Sequence, residues 1–167
     1  MYYPTVHVLR LAHRPVRDKR ITTHVCLVAR AFGAEKVIFS GSKDPGLIAR
    51  IDRIVKVWGG RFMVEHTSSY KEVIKDYKKN GWLIIHLTMY GDDFLEGIRR
   101  VLSKAAESGR VLVIVGGEKV PPEVYNLADI NLSVTHQPHS EVAALSVFLD
   151  HFFQHRAFKE ERKRGKT

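Results

Sequence analysis

The stretch VLVIVGGEKVPPE, residues 111–123, is the segment on which the fold assignment depends. Its first five residues are all apolar, a pattern typical of a strand in a parallel sheet that is covered on both faces. The two glycines that follow allow a backbone to approach a ligand closely, and the prolines predict a stiffened loop. The segment lacks both the Gly-x-Gly-x-x-Gly pattern of dinucleotide sites and the Gly-Lys-Ser/Thr ending of a P-loop. Taken alone, it is most simply interpreted as a strand-to-loop turn.

Short strand-like runs alternate with helical patterns on either side of this segment. The strand-like runs are 5–11, 36–40, 61–66, 82–89, 110–115 and 130–135. Helical patterns cover 21–32 and 47–58, a short segment from Ser68 or Ser69 to Tyr77, a longer one opened by Asp92 or Asp93, and a last helix beginning near 139–140. This alternation predicts one α/β domain with a mostly parallel sheet. We assign the domain to residues 1–155 and a basic C-terminal tail to residues 156–167.

The helical patterns also predict which side chains are buried. The helix opened by Asp92 or Asp93 is expected to direct five apolar residues toward the core, namely Phe94, Leu95, Ile98, Val101 and Leu102. Cys26 is the only cysteine, which excludes a disulfide scaffold, a Cys-based zinc site and an iron–sulfur cluster. Its place in an apolar helical pattern indicates a buried small hydrophobe rather than a nucleophile.

The positive charge of the chain is concentrated near its two ends. The 167 residues include 27 Lys and Arg against 18 Asp and Glu, a formal charge of +9. The segments 10–20 and 156–167 each carry a net charge of +4. Such focused charge predicts a polyanionic partner, with nucleic acid first and an acidic membrane surface second. Because no signal peptide and no membrane-spanning apolar run is visible, we expect a soluble cytoplasmic protein.

Three predicted strand ends are candidates for a ligand site, because parallel α/β sheets bind ligands at the carboxyl ends of their strands. They are residues 87–91, 116–120 and 135–141. His136 and His139 have the spacing of a metal-binding pair, but no third ligand stands at a familiar spacing, so no metal is predicted. Ser140 and Glu141 are residue types typical of the first turn of a helix.

Arg20 and His24 lie four residues apart, so on a helix they share one face. This pattern is typical of a solvated basic face and of a phosphate-positioning patch as much as of a catalytic pair. Charge and spacing alone leave these alternatives open.

Three segments, in this order, resemble a known family. They are VLRLAHRPVRDKRITTHVCLVARAFGA (8–34), the GGEKVP loop (116–121) and QPHSEVAALSVFLD (137–150). The last two are similar to the final motifs of the SPOUT methyltransferases, and all three together resemble the archaeal tRNA cytidine-56 2′-O-methyltransferase family. The resemblance implies an α/β fold with a C-terminal trefoil knot, and a homodimer with the apolar C-terminal helix in its interface. It also implies S-adenosylmethionine as methyl donor and the ribose 2′-hydroxyl of a tRNA T-loop cytidine as acceptor.

The resemblance further implies which residues bind the cofactor and the RNA. The cofactor positions are Leu87, Gly116, Gly117, Glu118, Lys119, Val120, Val134, Thr135, His136, Gln137, Pro138, His139, Ser140 and Glu141. Leu87 and Val120 are expected to form an apolar floor for the adenine ring. The RNA phosphates are expected to contact Arg14, Arg17, Lys19, Arg162, Lys163 and Arg164.

The catalytic base is the position at which this sequence departs from the SPOUT pattern. SPOUT ribose methyltransferases generally carry an arginine six residues before the glycine that ends the first helix, and counting back from Gly33 gives Leu27. Arg20, two turns earlier on the same face, is therefore the first candidate. His24 is the second, because an ordinary histidine pKa of about 6.5 suits a base better than an arginine pKa above ~12.

Two alternative functions are compatible with the same sequence. One is a SPOUT RNA methyltransferase that modifies another nucleotide, or a base rather than a ribose. The other is a non-enzymatic RNA-binding α/β protein.

Overall fold

A computed structural model describes residues 3–116 and 119–159 and shows, within them, a six-stranded sheet flanked by helices. The strands are β1 (Thr5–His13), β2 (Lys36–Gly41), β3 (Met63–His66), β4 (Leu83–Asp92), β5 (Arg110–Val115) and β6 (Ile130–Leu132). The helices are α1 (Lys19–Ala31), α2 (Pro45–Trp58), α3 (Tyr70–Lys79), α4 (Phe94–Ser108), α5 (Pro122–Leu127), α6 (Glu141–Phe152) and α7 (Arg156–Lys159). All strand pairs are parallel, in the order β3-β2-β1-β5-β4-β6. The predicted single α/β domain with a parallel sheet is confirmed.

The continuous apolar run at residues 111–115 is explained by burial on both faces of the sheet. Val111, Val113 and Val115 pack into a core formed with α1, α2, α4 and α6. Leu112 and Ile114 point to the opposite face, into a smaller core formed with α3 and α5. A strand with helices on both sides has no face for polar residues, so the usual alternation of apolar and polar residues is absent.

Side-chain caps begin three of the helices near the predicted positions. The carboxylate of Asp44 accepts a hydrogen bond from the amide of Leu47 at 3.1 Å. Ser69, rather than Ser68, opens α3, and its hydroxyl accepts from the amide of Glu72 at 3.3 Å. The hydroxyl of Ser140 accepts from the amide of Val142 at 3.1 Å, which confirms the cap expected before the last helix.

Two details of the sequence interpretation are wrong. The prolines after the double glycine do not stiffen a loop but begin a helix, because Pro122 lies in the first turn of α5. Proline is tolerated there, since its fixed φ suits a helix and its missing N–H has no partner to lose. Leu95 was expected in the core, but it is 73% exposed, whereas Ile98 and Val101 on the same helix are buried.

Cys26 is fully buried, as expected for a small hydrophobe. Burial raises the pKa of its thiol to about 12, so the thiolate form is not accessible near neutral pH. Among the described residues, no helix has both the length and the apolar character needed to cross a membrane. The trefoil knot implied by the resemblance stays a prediction.

The end of β4 leaves the regular register of the sheet. Both Leu87 and Asp92 pair with Leu132 of β6, so the residues between them bulge away from the ladder. Gly91 closes this bulge against the backbone of β6, and a Cβ atom at Gly91 would lie 2.6 Å from the carbonyl carbon and oxygen of Asn131. The bulge therefore requires a glycine at this position.

We predict that Gly91→Ala lowers the free energy of unfolding by about 1–3 kcal/mol, because the added methyl group forces β4 and β6 apart. Urea denaturation followed by circular dichroism measures this change. Gly46→Ala is the matched control, because a Cβ atom there approaches only the Asp44 side chain, at 3.7 Å. Equal stability of the Gly91→Ala and Gly46→Ala variants would contradict the close packing.

Candidate active site

A cavity of about 740 Å³ opens at the carboxyl ends of β4 and β5. Its wall is built from the bulged end of β4, the segment after β5, the first turns of α5 and the start of α6. The lining residues are His86, Leu87, Thr88, Met89, Tyr90, Val115, Gly116, Lys119, Val120, Pro121, Pro122, Tyr125, Pro138, His139, Glu141 and Ala144. This volume is within the range of about 300–1,000 Å³ that is usual for cofactor and small-molecule sites.

The structure brings together half of the positions predicted for the cofactor. Those that line the cavity are Leu87, Gly116, Lys119, Val120, Pro138, His139 and Glu141. Those that are described but do not line it are Val134, Thr135, His136, Gln137 and Ser140. Gly117 and Glu118 lie outside the described residues. The three strand ends selected from the sequence thus converge on one cavity.

Gly116 and Val120 lie close together just after the end of β5. A Cβ atom at Gly116 would lie 2.3 Å from a methyl group of Val120. The glycine therefore leaves room for Val120, which lines the cavity together with the buried Leu87 of β4. Both side chains expected to form an apolar floor for the adenine ring thus line the cavity, and their contact with the ring stays a prediction.

His86, Thr88 and Tyr125 form a polar group in the cavity wall that the sequence interpretation missed. His86 and Thr88 lie two residues apart on β4, so both point to the face that is covered by α5. The hydroxyl of Tyr125 lies 2.9 Å from that of Thr88, and its ring packs edge-on against His86 at 4.7 Å between centroids. The signal that could have found this group is the pair of polar residues on one face of an otherwise apolar strand.

The hydrogen bonds of His86 determine its tautomer. Asn131 donates its side-chain N–H to the carbonyl of Tyr125 at 3.0 Å, so its side-chain oxygen faces Nδ1 of His86 at 2.9 Å. An amide oxygen only accepts, so Nδ1 carries the proton and Nε2 carries a lone pair. Burial lowers the pKa of His86 and keeps the ring neutral. Nε2 is buried and has no hydrogen-bond partner among the described residues.

Glu141 is anchored at the cavity wall by a buried arginine that the sequence interpretation had placed in a basic surface cluster. Arg10, at the carboxyl half of β1, is 1% exposed, and its guanidinium lies 2.9 Å from the Glu141 carboxylate. It also donates to the carbonyl of Leu11 and lies 4.0 Å from Asp18. Burial lowers the pKa of Arg10, while Glu141 and Asp18 oppose this shift. Arg10 is therefore a structural cation and is not exposed to phosphate.

His136 holds the segment before α6 against the end of β4. Its Nδ1 lies 2.9 Å from the carbonyl oxygen of Met89, and its Nε2 lies 2.6 Å from the Asp93 carboxylate. The hydrogen bond to Asp93 raises the pKa of His136 above its ordinary value. Because both ring nitrogens have protein partners, the His136 side chain acts here as a clamp. Among residues 3–116 and 119–159, no three His, Cys, Asp or Glu side chains are placed to share a metal ion.

The two candidates for the catalytic base lie on the surface of α1. Arg20 and His24 share one helix face as predicted, but both are exposed and neither lines the cavity of its own chain. Asp18, at the start of the same helix, connects α1 to the cavity wall through Arg10 and Glu141. The helix end that carries Arg20 is thus fixed beside the site without entering it.

Of the six residues predicted to contact RNA, the structure describes three. Arg14, Arg17 and Lys19 are exposed at the start of α1. Arg14 is held by the Asp18 carboxylate, with Nε and the oxygen 2.9 Å apart. The tail positions Arg162, Lys163 and Arg164 lie outside the described residues.

Comparisons with known proteins identify relatives that match most of the chain. The family described as tRNA ribose 2′-O-methyltransferase, aTrm56, matches residues 58–167. A tRNA (cytidine(56)-2′-O)-methyltransferase of Methanopyrus kandleri is 49% identical, and the match covers 96% of this chain and 90% of that protein. A protein of the same name from Thermococcus kodakarensis is 47% identical, with 93% and 86% covered.

Solved structures of low sequence identity share the fold. The TrmH/SpoU tRNA modifying enzyme of A. aeolicus superposes with a TM-score of 0.65 at 15% identity and covers 99% of this chain and 82% of that one. The SpoU methyltransferase AviRb of Streptomyces viridochromogenes, in complex with the cofactor AdoMet, gives a TM-score of 0.64 at 14% identity, with 93% and 59% covered. These likenesses show that the sheet and its helices have the SPOUT arrangement.

The clamp formed by His136 and Asp93 gives a pH-dependent prediction. Because the folded-state pKa of His136 is raised, the contact contributes fully to the free energy of unfolding below pH ~6.5. This contribution is lost as the pH rises through the raised pKa. We expect an NMR titration to give a His136 pKa above 6.5, and Asp93→Asn to lower it. Asp92→Asn is the control, because that carboxylate pairs with Arg100 instead. A His136 titration that is unchanged by Asp93→Asn would exclude the clamp.

Proposed function

The chain belongs to the aTrm56 family of tRNA ribose 2′-O-methyltransferases, and from this we propose that it methylates the ribose 2′-hydroxyl of cytidine 56 in the T loop of tRNA. S-adenosylmethionine is the methyl donor. The observation that carries the proposal is the cavity at the carboxyl ends of β4 and β5, because it gathers residues from two of the three segments by which the chain resembles this family, 116–121 and 137–150.

The residues of the cavity fit S-adenosylmethionine. Leu87 and Val120 offer apolar surface to an adenine ring. The lone pair on Nε2 of His86 is a buried acceptor, and the cofactor carries hydrogen-bond donors on its adenine, its ribose and its ammonium group. A hydrogen bond from the cofactor to this buried acceptor would contribute favourably to the binding free energy, and an apolar ligand could not form it. The positions on residues 116–120 and 134–141 that do not line the cavity, or lie outside the described residues, remain part of the proposal.

When bound, S-adenosylmethionine supplies a methyl group on a sulfonium, where it is open to in-line attack by an oxygen. The protein has to align the ribose hydroxyl with that methyl group and accept or stabilise the proton that the hydroxyl loses. Arg20 is our first candidate for contact with the hydroxyl and His24 the second. The position of α1 supports both candidates. The N-cap residue of this helix, Asp18, is connected through Arg10 to Glu141, which lines the cavity.

The remaining partners follow from charge and exposure. Arg14, Arg17 and Lys19, together with Arg162, Lys163 and Arg164, are proposed to contact tRNA phosphates, which contribute affinity without base specificity. A homodimer is proposed through α6, on which Val147 remains 39% exposed in an otherwise largely buried apolar helix. A cytoplasmic location remains a prediction from the sequence.

We expect the protein to transfer one labelled methyl group from S-adenosylmethionine to an unmodified tRNA transcript. Nucleoside mapping should place it on the ribose of C56, and a transcript with 2′-deoxycytidine at that position is the matched control. A methyl group on a base would show that the enzyme is a base methyltransferase. Titration calorimetry that detects no binding of S-adenosylmethionine would instead support the non-enzymatic RNA-binding alternative.

We expect Arg20→Ala to lower kcat by about 10²–10⁴-fold while the Kd for S-adenosylmethionine is unchanged, because the lost group acts only on the hydroxyl. Arg99→Ala, an exposed arginine of α4, controls for the loss of surface charge. If Arg20→Ala retains activity and His24→Ala loses it, the base is His24. Single-turnover rates with prebound tRNA separate these effects from weaker RNA binding.

A further inference from the structure

A second cleft of about 630 Å³ lies at the edge of the sheet opposite the cofactor cavity. It is formed where β1, β2 and β3 begin and where α1 and α2 end, and it is closed on one side by α7. It shares no lining residue with the cavity at the carboxyl ends of β4 and β5. Residues there can therefore be changed without touching the proposed active site.

The cleft concentrates positive charge from three elements of the fold, α1, β2 and α7, and from the segment between α2 and β3. Arg30, Lys36, Arg61 and Arg156 line it, and among the described residues that line it Glu35 is the only carboxylate. Such convergence of cations is the electrostatic signature of a site for phosphate groups.

The four cations are held to different degrees. Arg30 donates to the carbonyl of Gly59 at 2.8 Å, and Lys36 lies 3.0 Å from Glu65. The guanidinium of Arg156 stacks over the ring of Tyr3 at 4.8 Å. Arg61 forms no hydrogen bond or ion pair with any described residue. It is the cation that is most available to a ligand.

An exposed aromatic side chain lies beside these cations. Trp58, the last residue of α2, is 53% exposed, and Met63 on the facing strand is 52% exposed. Gly59 and Gly60 separate Trp58 from Arg61, and a Cβ atom at either glycine would meet no heavy atom within 4 Å. The indole and the guanidinium thus border open space. An exposed indole beside a cluster of cations is the arrangement with which proteins stack a nucleobase and hold its phosphate.

We propose that this cleft is a second RNA-contact site, in which a nucleobase stacks on Trp58 while Arg61 and its neighbouring cations hold the adjacent phosphate. The ligand class is a nucleoside phosphate within an RNA chain. That the RNA is tRNA rests on the proposed function. A second copy of this chain is a poor occupant, because two such clefts would bring like charges together.

The test measures binding of unmodified tRNA transcript by filter retention, without cofactor. Trp58→Ala should raise the Kd about fivefold or more, and Trp58→Phe, which keeps an aromatic face, should restore most of the affinity. Arg61→Ala should reduce the slope of log Kd against log salt by about 1. Arg53→Ala, an exposed arginine of α2 outside the cleft, is the matched control and should bind as wild type.

Stacking also has a spectroscopic signature. RNA should quench the fluorescence of the wild type, and most of this quenching should be lost in Trp58→Phe, which retains only Trp82. The Kd for S-adenosylmethionine, measured by calorimetry, should be the same in all variants because the two sites share no residues.

Three results would overturn the inference. In the first, Trp58→Ala binds tRNA as tightly as the wild type does. In the second, the cleft binds free CMP or AMP more tightly than RNA. In the third, Trp58→Ala changes the oligomeric state of the protein. Failure of the proposed function is distinguishable: RNA binding would still depend on Trp58, but no methyl group would be transferred. The inference alone fails if the wild type methylates tRNA and the Trp58 and Arg61 variants bind tRNA as the wild type does.

Discussion

The guanidinium of Arg10 is a charge held almost wholly inside the protein, and the arrangement of the site depends on how that charge is paired. A buried ion without a partner is strongly unfavourable, and removing one partner of a buried pair generally costs about 3–5 kcal/mol. Arg10 forms ion pairs with Glu141 at the start of α6 and with Asp18 at the start of α1. The end of β1 and the start of α1 are therefore held to the start of α6, which lies more than a hundred residues further along the chain. Glu141 is part of the cavity wall.

The cavity itself arises from the parallel sheet and from one irregularity in it. Parallel strands place all their carboxyl ends on one edge, where the connecting segments meet. β4 leaves the ladder after Leu87 and returns at Asp92, so the residues of its bulge become wall rather than sheet. Gly91 permits the return because it has no side chain to meet β6. His136 then ties the segment before α6 to this bulge through Met89 and Asp93.

Much of the fold could be predicted because its patterns are local. The apolar run at 111–115, the caps at Asp44, Ser69 and Ser140, and the alternation of strands and helices each depend on neighbouring residues only. Leu95 and the helix beginning at Pro122 were misjudged, because an apolar residue can face solvent and a Pro-Pro pair can open a helix as well as a loop. The site was predictable in part through motifs, which found Gly116, Val120 and Glu141 but not Tyr125.

The fold class, the burial of Cys26, the segments that form the cavity and the family of the chain could be predicted from the sequence alone, because each depends on patterns of residues that are close together along the chain. Only the tertiary structure decided that Arg10 is an interior ion-pair partner and not part of a phosphate-binding surface. Only it showed that cavity-lining His86 has a buried Nε2 without a hydrogen-bond partner among the described residues, and that Trp58 and Arg61 border a basic cleft at the opposite edge. The physical reason is that burial, protonation state and charge convergence depend on atoms brought together from distant parts of the chain, which no local pattern records.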